Sequence, residues 1–161
     1  FLDCFLEDGL PDVLGLRADG SKSWQVDLAF LDDAAMQALN REHRQKDKST
    51  DVLSFPLWER DRVDGPRPAQ LPELSLGSVF VSLDYAQANL PPAHPGATEG
   101  MRRQALCHYL LERVTHGMLH LGGVHHDTME AYHGVVAFQR RVLARLGPGM
   151  PEAPDSVVYD V

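Results

Sequence analysis

Two kinds of spacing divide this chain. Trp24 to Leu31, WQVDLAFL, partly alternates apolar and polar positions and reads as a strand. Asp32 then sits where an N-cap belongs, ahead of a helix from Asp33 to about Arg41 with Ala35, Met36 and Leu39 on its inner side. Val52 to Phe55 is a second β-rich run, stopped by Pro56. Leu76 to Leu83, LGSVFVSL, places Val79 and Val81 on one face and predicts a strand. Asp84 to Asn89 reads as a short helix, ended by Leu90-Pro91-Pro92. From Thr98 or Glu99 the period lengthens. Leu106, Leu110, Val114 and Met118 recur at helical spacing, flanked by Leu111 and Leu121, and predict one long helix. A last helix is predicted from Met129 to about Leu146, with Val135, Val136, Phe138, Val142 and Leu143 inward. Asp127-Thr128 caps it and Gly147-Pro148-Gly149 ends it. The remaining stretches carry less pattern. Leu2 to Leu6 reads as a short strand or a helix start, Trp58 to Ser75 as an exposed Pro-rich loop, and Met150 to Val161 as a tail.

At 161 residues with no internal repeat, the chain reads as one domain, 1–161, whose final segment 150–161 is tail. No stretch approaches the ~20 apolar residues that span a membrane, and the acidic start FLDCFLEDGLPD lacks the basic region of a signal peptide. Cys4 and Cys107 form no CxxC pair, so two reduced thiols in a cytoplasmic protein are expected, with Cys107 packed in the long helix. The net charge of −8 argues against nonspecific nucleic-acid binding. The charge is uneven, however: residues 1–33 carry eight acids against Arg17 and Lys22, a net of −6, leaving −2 for the rest. Basic clusters remain at Arg41, Arg44, Lys46 and Lys48, and at Arg102, Arg103 and Arg113. A polyanionic substrate would have to use such a local patch.

The chemistry concentrates in HGMLHLGGVHHD, His116 to Asp127. His116 and His120 are four apart and share one helix face. Gly122 and Gly123 offer the positive φ that ends a helix and lets His126 return towards them. Three neutral imidazoles with one open position are the donor set of a catalytic zinc site. His108 lies eight residues before His116, too far along the helix to join. The spacing matches the metzincin pattern H-E-x-x-H-x-x-G-x-x-H at every position but one. The proteases' general-base Glu would stand at 117, and 117 is Gly.

The same stretch resembles the H-G-x-L-H-L-x-G-Y-D-H signature of the YbeY family of bacterial endoribonucleases. Gly117, Leu119, Leu121 and Gly123 match along with the three histidines, while Val124 replaces the family's Tyr and His125 its Asp. A second stretch, LNREHRQKDKSTDVLSFP, resembles the family's L-N-x-x-Y-R-x-K-D-x-P-T-D-V-L-S-F-P, with His43 for Tyr and Ser49 for Pro. Ser78 stands for an Asp in the third, shorter match, L-G-D-I-x-I-S.

The resemblance implies an α+β single domain: a small mixed sheet of about four strands, several helices, and a three-His site at the end of the long helix. It implies a single-strand-specific, metal-dependent endoribonuclease of ribosomal RNA maturation, acting near the 3′ end of small-subunit RNA and in ribosome quality control, with the small subunit as partner. His116, His120 and His126 would hold one zinc ion. Arg44 would grip a phosphate through its guanidinium fork and Lys46 would be an outer contact. No clear general base stands out; His125, Asp127 and Asp51 are candidates, each more often a structural hydrogen-bonding residue. Two other readings stay open. One is a metalloprotease-like hydrolase, which Gly117 opposes. The other is a non-catalytic, zinc-stabilised assembly factor, which His125 as a fourth ligand would favour.

Overall fold

The computed structural model describes residues 23–57, 73–90, 95–126 and 128–146. Cys4, Asp127, the segment Leu2 to Leu6, most of the Pro-rich loop and the tail lie outside them. The described elements run β1 (Ser23–Leu31), α1 (Asp33–Arg44), β2 (Val52–Pro56), β3 (Glu73–Ser82), α2 (Leu83–Ala88), α3 (Glu99–Leu121) and α4 (Met129–Leu146). The sheet order is β1-β3-β2, with β1 parallel and β2 antiparallel to β3. Among the described residues the sheet therefore has three strands where about four were expected; the remaining candidate, Leu2 to Leu6, is not among them.

The sheet has a helical layer on each side. His43 of α1 meets Phe55 edge-on at 4.8 Å, and Phe55 in turn meets Phe80. Alternation along β2 turns Val52 and Ser54 the other way, and there α3 lies across β2 and β3 with α4 packed on it. The core forms between these layers from Leu76, Val79, Val81, Val114, Met118, Leu119, Leu121, Val135, Phe138 and Val142.

Strict alternation would put Leu76 on the opposite face from Val79 and Val81. A bulge reconciles them: Gln25 pairs Ser75 while Val26 pairs Gly77, so Leu76 is the extra residue. Gly77 takes φ +128°, and a Cβ there would lie 2.1 Å from the Phe55 carbonyl oxygen. Only glycine fits this position.

Helix α1 begins as expected, with the Ala35 N–H donating to Asp32 Oδ1 at 2.8 Å. It runs past Arg41 to Arg44, because nothing from 41 to 44 breaks a helix and the cationic side chains Arg41 and Arg44 suit its last turn. Gln45 then closes it in the left-handed region, φ 59°. At the start of α4, Thr128 Oγ1 accepts from the Ala131 N–H.

Helix α3 differs most from its sequence pattern. Every residue from 112 to 119 is buried, including Glu112, Arg113, Thr115 and His116. Arg113 is therefore not part of a surface basic cluster. It is wholly buried, forms an ion pair with Asp51 at 3.1 Å and lies over the Tyr109 ring at 4.4 Å. Asp51 Oδ1 meanwhile accepts from the Val52 N–H, so this carboxylate ties the start of β2 to α3. Thr115 Oγ1 donates to the Leu111 carbonyl, the usual way a buried helical threonine satisfies its hydroxyl. Cys107 is exposed rather than packed, because it lies a third of a turn off the Leu106–Leu110 stripe. His108 is buried. No helix among the described residues is long and apolar enough to cross a membrane.

Candidate metal centre

His116 and His120 come from the last turns of α3 and His126 from the segment beyond it. Gly122 caps the helix at φ −78°, its N–H donating to the Met118 carbonyl; of the two glycines only Gly123, at φ +78°, uses the left-handed region. The Gly123 and Val124 N–H groups donate back to the His120 and Leu119 carbonyls, and this closed turn returns the chain towards the helix.

The three rings converge through one kind of atom. His116 Nε2 lies 3.0 Å from His120 Nε2 and 3.2 Å from His126 Nε2. A tetrahedral zinc ion at about 2.05 Å from each ligand would hold nitrogens roughly 3.3 Å apart, so the spacing suits such an ion. His120 Nδ1 lies 2.9 Å from the Val124 carbonyl oxygen. That oxygen can only accept, so Nδ1 carries the proton and the Nε2 lone pair faces the other rings. Burial, then the facing His120 and His126 rings, pushes the His116 imidazole down to about 3. Burial, then His126, pushes His120 down to about 4, with His125 and Arg44 adding to the effect and the Val124 carbonyl opposing it. Both rings are thus neutral at pH 7, the form that coordinates a cation. Clustered lone pairs repel one another unless a proton or a cation lies between them. The three residues can hold a metal ion.

His125 is exposed and does not join the converging nitrogens; its ring centroid is 5.7 Å from that of His120. The site therefore has three imidazoles and no fourth ligand among the described residues, the open form that suits catalysis rather than structure. Gly117 now has a physical reason. A Cβ there would lie 2.7 Å from Val79 Cγ1 and 3.3 Å from Val52 Cγ2, because α3 crosses the sheet at this point. A protease's glutamate cannot be accommodated without displacing the buried Val79. Asp51, a candidate base, is committed to Arg113.

Arg44 ends α1 on the exposed rim, its Nη2 donating to the Ser54 carbonyl at 3.4 Å, near enough for its charge to reach His120. Lys46, two residues on, is exposed; its backbone N–H donates to the Asn40 carbonyl. Its ammonium has no hydrogen bond or ion pair among the described residues. Sequence reasoning missed Gln139 of α4, which is 1% exposed and close enough to the His116 ring to act on its protonation. The signal was there: Gln139 interrupts the inward stripe of Val135, Phe138 and Val142.

The family model described as Endoribonuclease YbeY matches residues 12–147. This chain belongs to the YbeY family. A curated YbeY endoribonuclease of Chelativorans sp. (strain BNC1) is 34% identical over 137 residues, spanning 85% of this chain and 75% of its own. That of Azorhizobium caulinodans is 34% identical over 131 residues, 80% and 71% of the two chains, and that of Trichormus variabilis 30% identical over 136 residues, 84% and 72%. The YbeY relatives carry the endoribonuclease description that the two matched stretches implied, and the converging histidines place a metal-competent group at the heart of the first of those stretches.

Proposed function

We propose that this YbeY protein is a single-strand-specific, metal-dependent endoribonuclease of ribosomal RNA maturation, and that its metal is one zinc ion on His116, His120 and His126. The observation that carries the reading is the convergence of three Nε2 atoms on one point, with the Arg44 charge near enough to act on His120. When bound, the ion supplies Lewis acidity to a phosphodiester. The chain's own residues do the rest. The His116 and His120 imidazoles stay neutral to a pH well below 7, so their lone pairs remain available. Arg44 offers a planar fork to the phosphate oxygens and offsets the negative charge that grows on them during cleavage. Lys46, exposed two residues on, offers a point charge to a neighbouring phosphate. His116 and Arg44 are thus the residues on which cleavage depends most.

Single-strand specificity, the small ribosomal subunit as partner, the 3′ end of its RNA as target, a role in ribosome quality control and a cytoplasmic location rest on family membership. They accord with a net charge of −8, which suits a defined ribosomal target better than indiscriminate nucleic-acid binding.

The test is metal content alongside cleavage of single-stranded and duplex RNA, for wild type, Arg44→Ala and His116→Ala. The expected result is one zinc per chain and single-strand cutting in the wild type, metal without cutting in Arg44→Ala, and neither in His116→Ala. Unchanged cutting in both variants would assign the activity to a contaminant and leave a metal-stabilised assembly factor as the better reading.

A further inference from the structure

His116 is the most buried of the three ligands and the one whose second ring nitrogen faces the interior. Its Nε2 points at His120 and His126, so Nδ1 is turned away from them; that atom is wholly removed from solvent. On the facing helix α4, Gln139 is equally buried. Its Nε2 donates to the Glu112 carbonyl at 3.0 Å, one helical turn before His116. Anchoring the amide nitrogen there fixes which end of the side chain is left, because a carbonyl cannot accept from Oε1. The oxygen remains as an acceptor for a neighbouring side chain. Gln139 lies close enough to favour the charged form of His116, the direction expected of an acceptor beside Nδ1–H.

We infer that Gln139 is the positioning residue of the centre: its Oε1 accepts from His116 Nδ1–H, holds that tautomer and ring orientation, and so presents the Nε2 lone pair to the ion. The Val124 carbonyl does the same for His120 from the other side. One ligand is therefore set by the turn within its own motif and the other by a side chain of α4. Such outer partners raise ligand basicity and fix ligand geometry. The inference rests on the reading that the three histidines bind a metal.

The experiment uses the full chain, stripped of metal by a chelator, with ¹⁵N-labelled histidine. Nitrogen shifts report the His116 tautomer in wild type, Gln139→Leu and Gln139→Glu, and zinc titration reports affinity in each. Wild type is expected as the Nδ1–H tautomer. Gln139→Leu, of similar volume, should show mixed tautomers and about 10- to 100-fold weaker zinc binding, whereas Gln139→Glu, which keeps an acceptor, should stay within about threefold of wild type. A wild-type Nε2–H tautomer would overturn the inference without any variant, even if Gln139→Leu does not fold. So would a folded Gln139→Leu with unchanged tautomer and affinity. If wild type binds no zinc while its His116 is Nδ1–H, the metal reading fails and the positioning contact stands; His120→Ala as the zinc-binding control separates the two.

Discussion

The two sides of the candidate site are built on opposite terms. The histidine side grows out of a helix buried all round from residue 112 to 119, set against the sheet so closely that position 117 has no room for a Cβ. The cation side hangs on the exposed end of α1, where Arg44 and Lys46 are held by a short loop folded back on its own helix. That loop is tied by Asn40 Nδ2 donating to the Lys48 carbonyl at 2.8 Å and Gln37 Nε2 donating to Asp47 Oδ1 at 3.1 Å. An ion demands ligand positions fixed to a few tenths of an ångström, and a packed core supplies them. A flexible polymer substrate presents phosphates at variable positions, and an exposed fork on a helix end can follow them. The lesson is that rigidity is concentrated where the chemistry is least forgiving.

The contrast can be broken hardest at Gly117. Gly117→Glu should cost more than about 3 kcal/mol, since it overpacks Val79 and buries an unpaired carboxylate at once. Urea denaturation measures this, and wild-type stability would mean that the buried side is not tightly packed after all. Next in size is the split between the sides. His116→Ala should lose both metal and about a thousandfold or more in cleavage. Arg44→Ala should lose about a hundredfold in kcat/KM, keep the metal, and change stability by no more than about 0.5 kcal/mol. Arg44→Lys should recover only part of that activity, because an ammonium lacks the fork.

A pH series sharpens the comparison further. His116 and His120 have pKa values of about 3 and 4 in the folded chain, below their ordinary 6.5. Between those values the unfolded chain binds more protons than the folded one, so metal-free stability should fall as the pH drops from about 6.5 towards 4. Thermal melting of the metal-free protein checks it. A Gln substitution at each of the two positions should flatten the slope. Smallest of all, Lys46→Ala should leave kcat alone, weaken RNA binding slightly and reduce the salt dependence of log K by about 0.7, the share of a single phosphate contact. A salt titration of RNA affinity reads this directly.

What could be read in advance was what is local. The histidines, the Gly123 turn and the Asp32 cap lie within a few residues of their partners, so spacing alone placed them. The long helix was equally legible as an element, yet not in its surroundings. Arg113 looked like a surface cation because its partner, Asp51, lies on the far side of two strands in sequence. Gly117 could be recognised as the absence of a protease base, but its reason resides in Val79 and Val52, brought there by the sheet. Gln139 was one polar residue in an apolar stripe, and only the crossing of α3 and α4 showed what it faces. Cys107 was misplaced by one position around the helix, the error to which a periodic argument is most exposed.

The full burial of residues 112–119 also governs when the site exists. Their amides are covered by the sheet on one side and α4 on the other, so small local openings do not expose them. Hydrogen exchange at these positions should proceed only by unfolding of the whole core, at the slowest rate in the protein. A chain in which α3 has not yet docked has two histidines on a fraying helix end and a third in the loose connection to α4. The ligand set is therefore a product of the folded core as a whole, and capture of the ion reports that the core has formed.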